Sequence, residues 1–430
     1  MISASLCWGG LSHDPHELEY VWQRDLLPHV LAEPGKIIAH GAGRSYGDVA
    51  LNPGGRLLMT ERLDQFISFD AISGILECES GVLLGTIQRL MIVRGWMLPV
   101  SPGTQWVTVG GAIANDVHGK NHDDAGSFGH HVLSLRLVRT DGQLLNLVDP
   151  DAPLFRATLG GLGLTGMIQS ARLKLMRVPG AWMEQEIQPF HHVDDYFQLA
   201  HQHDPQWPYT VAWLDCTRYP PRGLFMRGKH SPLADQIPKE KHRRMPWSPP
   251  FSLVNRLSLH LFNPLYYHTN RLKASPRLVH YQPFLYPLDH IQNWNRMYGR
   301  KGFYQYQCLV PPHSEREAVK ALLQTIVRSG RGSFLAVLKT FGQRTSPGML
   351  SFARPGTTLA LDFPNESMQT ERLFQRLDRI IQEAGGCIYM AKDARMPVAL
   401  FRTGYPDWER FLDYRDPGLS SALSRRLLGC

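Results

Sequence analysis

Residues 99–131 read PVSPGTQWVTVGGAIANDVHGKNHDDAGSFGHH, and no other stretch constrains the chain as much. A loop of this length without a function is uncommon in a compact domain. Its glycines let the backbone approach a ligand closely and present N–H groups. Gly110 and Gly111 open a short helix-like run over residues 110–115, and a helix start is an anion site. His118, Gly119, Lys120 and Asn121 follow as bulkier lining, with His122, His130 and His131 beyond them. The stretch reads as a cradle for the pyrophosphate and ring of a dinucleotide; a glycine-rich surface loop is the alternative.

Two more glycine clusters flank it. Residues 36–40 (KIIAH) predict a strand that feeds GAGRSYGD at residues 41–48. No GxGxxG follows, so a nicotinamide fingerprint is not supported, and alone this loop reads as a turn as readily as a site. GGLGLTG at residues 160–166 leads into a strand over 167–175. Asp14-Pro15 predicts a helix over residues 16–32. Strands are expected at 57–60 and 75–79, and a helix over 82–94 closed by Gly95. Asp141-Gly142 marks a hairpin between residues 133–140 and 143–148. Three glycine clusters on a mixed α+β pattern predict one ligand-wrapping domain, residues 1–178.

At 430 residues the chain exceeds one ordinary core, so a second domain is expected over residues 179–400, with 401–430 as a C-terminal segment. Residues 219–283 mix prolines, aromatics and the basic run KEKHRR (239–244) without clear period. They read as a mobile segment resting on an anionic membrane or as a solvated loop. Beyond them, residues 303–310 alternate as a strand with Gln305 and Gln307 on one face. Ser314 and Glu317 form a capping-box pattern for a helix to Val327. Strands follow at 334–341 with Lys339, at 358–363 with Asp362, and at 387–392 ending in Lys392. Leu373, Phe374, Leu377, Ile380 and Ile381 share a helix face that Gly385 ends. This predicts a sheet with helices on one side. Inward lysines and glutamines need partners, so Gln305, Gln307, Lys339 and Lys392 together outline a pocket for a polar anion; singly, each is more often a surface or ion-paired residue.

The formal charge of +8 points to an anionic partner: phosphate, acidic lipid or nucleic acid. No recognised nucleic-acid module is present, and none is expected as a partner. The six cysteines have no metal-type pairing and suit a reducing compartment. The first residues lack a secretory pattern, and no apolar run is long enough to span a bilayer. No Ser-His-Asp order, HExxH or CxxC is found, which leaves hydrolase and metal readings weak.

The glycine clusters at 41–48, 102–120 and 160–166 resemble the FAD domain of the vanillyl-alcohol oxidase/p-cresol methylhydroxylase superfamily. GRSYGD (43–48), PGTQWVTVGGAIANDVHGKNHDDAGSFG (102–129), GLGLTG (161–166), WNRMYG (294–299), QYQ (305–307) and YMAKDAR (389–395) narrow this to the decaprenylphosphoryl-β-D-ribose 2-oxidase family, the flavoprotein half of a 2′-epimerase. The likeness covers nearly the whole chain and is weakest over residues 219–283. It implies an α+β fold: a PCMH-type FAD-binding domain, and a substrate domain whose antiparallel sheet, covered by helices, roofs the flavin. It implies FAD contacts from Ala39, His40, Gly41, Ala42, Gly43, Arg44, Ser45, Tyr46, Gly47, Asp48 and Val49, from Gly103, and from Thr108, Val109, Gly110 and Gly111. Asn115, Asp116, Val117, His118, Ile168 and Tyr389 complete that set.

By the same resemblance Lys392 lies beside the flavin as the catalytic group, with Tyr46 and His118 as secondary candidates. Lys120, Gln305, Gln307, Lys339, Thr358 and Lys392 would meet the substrate. Arg44 stands where several relatives carry a histidine bonded to FAD, so noncovalent FAD is expected. Thr358 and Ala360 stand where mycobacterial members carry asparagine and cysteine, so inhibitors that need that thiol should fail here; Cys387 is on another strand and does not replace it. The implied reaction is oxidation of the 2′-hydroxyl of a polyprenyl-phosphoryl ribofuranose. An NADH-dependent short-chain reductase would complete epimerisation to the arabinose form. The expected location is cytoplasmic, free or peripheral on the inner face of the plasma membrane. A soluble alditol or aldonolactone oxidase on the same fold is the competing reading.

Overall fold

A computed structural model describes residues 6–202, 204–232, 243–273 and 275–430. The basic residues 239–242 lie outside the described residues. Strand Ile37–His40 runs parallel to Arg56–Met59, which pairs on its other edge with Glu17–Tyr20. The helix expected over 16–32 is thus a strand followed by a short helix, Leu27–Ala32. Tertiary pairing overrides the local pattern: the buried Arg56 guanidinium bonds Glu19 through Nε at 3.0 Å, while Leu18 and Tyr20 face solvent.

An antiparallel sheet follows in the order Phe66–Asp70, Ile75–Glu79, Met167–Lys174, Val132–Val138, Leu144–Leu147. The last pair is the Asp-Gly hairpin, with Gly142 at φ +82°. Helices Leu84–Ile92 and Val109–Ala114 close over this sheet through Ile87, Ala112 and Ile113 against Leu76, Leu135 and Leu173.

The eight-stranded sheet draws on later residues in the order Arg277–His280, Trp182–Phe190, Arg222–Ser231, Tyr209–Asp215, Ala336–Phe341, Gly356–Pro364, Phe303–Val310, Cys387–Ile388. Every pairing in it is antiparallel. Register sets Gln305 opposite Asp362, Gln307 opposite Ala360 and Lys339 opposite Thr358. Side chains alternate along a strand, so these residues share one face. The other face packs through Leu338, Leu359 and Leu361 against Tyr196, Leu322 and Phe374 of helices Val193–His201, Glu315–Arg328 and Met368–Glu383.

Four expectations for this half are corrected. The described residues within 219–283 are largely in regular elements, with strand Arg222–Ser231 inside the sheet and a helix, Arg256–Arg271. That helix hides its period by burying Asn263 and Asn270 and holding Pro264. It packs Tyr267 on Trp213 and Leu224, on the face opposite the other helices, so helices cover both faces rather than one. Ser314 does not cap its helix; its hydroxyl donates to Ala384 O at 2.8 Å. The strand predicted to end at Lys392 stops at Ile388, and Met390–Lys392 is a 3₁₀ turn whose Ala391 O accepts from Tyr46 N at 3.0 Å.

The chain end returns to the first glycine loop. Ile37 N donates to Gly418 O, and Ala422 N to Leu51 O. The Arg426 guanidinium bonds both Asp48 oxygens at 3.0 Å and Asp393 Oδ2 at 2.8 Å, joining helix Ala422–Leu427 to the loop and to the turn that carries Lys392. Removing one partner of a largely buried ion cluster leaves charges unpaired. Arg426→Leu is expected to lower unfolding free energy by about 2–3 kcal/mol, read as a shift of the urea midpoint. An unmoved midpoint would show that the cluster does not hold the chain end.

Candidate active site

A cavity of about 1260 Å³ lies between the glycine loops and the polar face of the large sheet. The sheet and its adjoining turn contribute Gln305, Gln307, Lys339, Tyr389 and Lys392, and the long glycine stretch contributes His118 and Lys120. The residues expected on the cofactor all line it except Asp48, Val109 and Asp116. Asp48 is engaged by Arg426. Val109 points into the core beneath its helix. Asp116, at φ +38°, accepts from Gly129 N at 2.7 Å and Ser351 Oγ at 2.5 Å, and so pins the loop that carries His118. Thr358 also lies off the cavity, with its Oγ1 accepting from Gln307 Nε2 at 3.4 Å.

The anion site expected at the start of the Gly110–Gly111 helix is not available. Val109 N donates to Val82 O, Gly110 N to Ser80 O, and Gly111 N to Thr108 Oγ1 at 3.2 Å. These donors are already used inside the fold. The first glycine loop behaves differently. Among the described residues, the N–H groups of Gly41, Ala42, Gly43, Arg44 and Ser45 meet no protein acceptor. Gly43 turns this loop at φ +61°. A Cβ on Gly41 would stand 2.5 Å from Thr108 Oγ1, so glycine lets the loop lie against the helix start. Ser80 Oγ and Asn115 Oδ1, both on the cavity wall, are buried without a partner among the described residues. A run of backbone donors beside unsatisfied polar atoms fits FAD, whose phosphates accept and whose ring edge both donates and accepts.

The opposite wall is electrostatically unusual. Burial pulls the Lys392 ammonium down to about 7, with Asp362 opposing and Lys339 adding to the shift. Its Nζ sits 3.8 Å from the Tyr46 ring centroid. Burial pushes Asp362 up to about 7, against hydrogen bonds from Gln305 and Tyr298; its Oδ1 accepts from Gln305 Nε2 at 2.7 Å. Lys339 is drawn down to about 8 by burial, and its Nζ donates to Gly119 O at 3.3 Å. Lys120 is drawn down to about 7 by burial and by Lys339, and donates to Phe284 O and Leu285 O. His118 falls well below its ordinary value through burial and the neighbouring cations, so it is a neutral ring. Its Nε2 accepts from Gln307 Nε2 at 3.0 Å, and its Nδ1 has no partner among the described residues. Tyr46 is held well above its ordinary value by burial and then by Asp362, so the phenol keeps its proton.

Asp362 is the functional candidate that sequence reasoning left on its strand without a role. Its signal was a carboxylate in an otherwise apolar strand, at the same parity as Thr358 and Ala360. Asp289, which accepts from Gln105 N at 2.8 Å and interacts with Arg44, gave no signal. Ala360 lines the cavity, so no thiol stands there, and Cys387 is buried away from it.

Comparison with known proteins agrees with this geometry. Residues 27–147 match the FAD binding domain family. The decaprenylphosphoryl-β-D-ribose oxidase of Mycolicibacterium smegmatis is 35% identical, over 91% of this chain and 89% of that protein. An uncharacterised Streptomyces coelicolor protein is 31% identical over 80% of this chain and all of its own length. The mitochondrial D-2-hydroxyglutarate dehydrogenase of Rattus norvegicus is 30% identical over 28% of this chain.

A Cβ on Gly43 would stand 2.8 Å from Leu6 O, in a backbone region that β-branched residues avoid. Gly43→Val is expected to purify colourless, with flavin content below about a tenth of wild type and unchanged far-ultraviolet circular dichroism. A yellow variant would remove this loop from cofactor binding.

Proposed function

The chain belongs to the decaprenylphosphoryl-β-D-ribose oxidase family of FAD-dependent oxidoreductases, and on that premise we propose that it oxidises the 2′-hydroxyl of a polyprenyl-phosphoryl-β-D-ribofuranose to the 2′-ketone. One observation carries the reading. Lys120, Lys339 and Lys392 converge on one buried cavity, all drawn down by burial, beside hydrogen-bonding glutamines and a loop whose N–H donors meet no acceptor among the described residues. An anionic sugar phosphate satisfies such a wall; a neutral sugar leaves its cations unmatched.

Bound FAD supplies the acceptor for the hydride that leaves C2′. Ala39 to Gly47, Val49, Thr108, Gly110, Gly111, Asn115 and Tyr389 would hold it, noncovalently, with Arg44 occupied over the Trp8 ring at 4.4 Å. Lys392 Nζ, neutral in an appreciable fraction near pH 7, takes the 2′-hydroxyl proton. Tyr46 keeps its proton and supports Lys392 through its ring face. His118, neutral and held by Gln307, offers Nδ1 to a sugar hydroxyl. Lys120 and Lys339 take the phosphate, whose charge restores their ammonium form. Thr358 acts through Gln307. The ketone then passes to a separate NADH-dependent short-chain reductase, which returns hydride to C2′ to complete the inversion. No helix among the described residues is long and apolar enough to cross a membrane; we place the protein on the cytoplasmic side, at the inner face of the plasma membrane that holds its lipid. Residues 1–178 serve the cofactor and residues 179–400 the substrate, with 401–430 locking the two.

Lys392→Ala is expected to retain FAD and to slow flavin reduction by the lipid-linked ribose at least about 100-fold; near-normal reduction would remove Lys392 from this role. The active form is the free amine, so in wild type the reduction rate should climb as pH rises through about 7 and level off above it. A rate flat across that window would assign the proton elsewhere. Lys339→Met should raise KM about tenfold, ~1.4 kcal/mol, with kcat held within about threefold. Equal turnover of free sugar alcohols, unaffected by this substitution, would favour the soluble alditol or aldonolactone reading.

A further inference from the structure

Helix Arg256–Arg271 is built inside out. Its inner side carries Leu259, Asn263, Tyr267 and Asn270, with Asn263 Nδ2 donating to Ser333 O at 3.3 Å. Its outer side carries Leu257, Leu261 and Leu265, which are 72%, 67% and 64% exposed. Their spacing of four places them in one row. Trp247 and Phe251, in the segment leading into the helix, are 60% and 67% exposed, and Leu272 just past its end is 76% exposed. Single exposed apolar side chains are ordinary; a leucine row backed by buried asparagines marks a surface with a partner.

The charges carried by this segment have one sign. Residues 243–280 contain Arg243, Arg244, Arg256, Arg271, Lys273 and Arg277, and neither Asp nor Glu. All but Arg277 are exposed. The same segment walls the catalytic cavity through Arg243, Phe262, Tyr266, Asn270 and Lys273.

We propose that this face docks on an anionic lipid bilayer, with the leucine row and the Trp247–Phe251 segment at the acyl boundary and the arginines among the headgroups. An interfacial helix needs an apolar row and flanking cations, and both are here. A second copy of this chain would set like charges against each other across a two-fold contact. Where it concerns the cavity wall, the proposal rests on the reading of a prenyl-tailed substrate: a tail leaving past Phe262 and Tyr266 stays in lipid. Docking itself needs no substrate.

The test is cosedimentation of the FAD-loaded enzyme with phosphatidylcholine vesicles, with and without phosphatidylglycerol. Wild type should pellet with the anionic vesicles, weakly with the neutral ones, and less as salt rises. The triple variant Leu257→Ser/Leu261→Ser/Leu265→Ser should lose at least about tenfold in vesicle affinity, with flavin content, melting temperature and turnover of a short-chain water-soluble substrate unchanged. Wild type left in the supernatant, or a variant that pellets like wild type, overturns the proposal. So does a wild-type dimer that the variant dissolves without any vesicle binding, which would make the face a contact between copies. Failure of the substrate reading would show as no flavin reduction by the lipid-linked sugar, with vesicle binding intact.

Discussion

Three lysines buried in one cavity set the terms for the rest of this molecule. An ammonium taken from water is costly even where, as at Lys392, a carboxylate partly offsets the burial, and each unit of pKa depression represents about 1.4 kcal/mol. With Lys120 and Lys392 drawn to about 7 and Lys339 to about 8, the fold bears several kcal/mol of unfavourable electrostatics at this wall. The sign follows from linkage. Their folded values lie below their unfolded ones, so the unfolded chain binds more protons between about pH 7 and 10, and this contribution makes the fold more stable as pH rises through that window. At neutral pH the cost stands in full or in part. On the proposed reading, a bound sugar phosphate would offset it.

That wall stays in place because its supports are made elsewhere. Lys392 sits on a turn rather than a strand, and the turn is held by Tyr46 N on Ala391 O, by Tyr389 N on Gln307 O at 2.9 Å, and by Arg426 on Asp393. Each tie reaches a different part of the chain: the first glycine loop, the large sheet and the C-terminal helix. The close approach of loop to turn also explains Gly47, where a Cβ would fall 1.8 Å from Asp393 O. The first glycine loop and the turn that carries Lys392 are therefore one packed unit, and their spacing is fixed by backbone contact.

Much of this was legible in the sequence where one residue type has one physical use. Asp141-Gly142 specified its hairpin, Gly95 and Gly385 ended their helices at positive φ, and the alternation of residues 303–310 placed Gln305 and Gln307 on the cavity face. The failures have a common cause, which is that the deciding partner is distant in sequence. Glu17–Tyr20 became a strand because Arg56–Met59 offered an edge. Ser314 gave its hydroxyl to Ala384 rather than to its own helix. The start of the Gly110–Gly111 helix lost its anion-binding value because Ser80 O and Val82 O had already taken its donors. Helix Arg256–Arg271 was missed because it buries asparagine and exposes leucine, the reverse of the pattern by which a core helix is read.

The polar face of the large sheet also bears on which group holds the proton. Asp362 and Lys392 interact electrostatically, and Gln305 ties Asp362 to one side of this arrangement at 2.7 Å. Both are displaced toward about 7 by the same burial, from opposite directions. A proton gained by Lys392 strengthens the case for an ionised Asp362, and a protonated Asp362 favours a neutral Lys392. On the proposed role of Lys392, an ionised Asp362 would balance the ammonium formed when the amine takes the hydroxyl proton, so that no isolated cation stands in a dry cavity. Asp362 need not touch the sugar to matter. By standing across from Gln305 in register, it would, on the proposed role of Lys392, make the amine beside Tyr46 a base whose conjugate acid the cavity can tolerate.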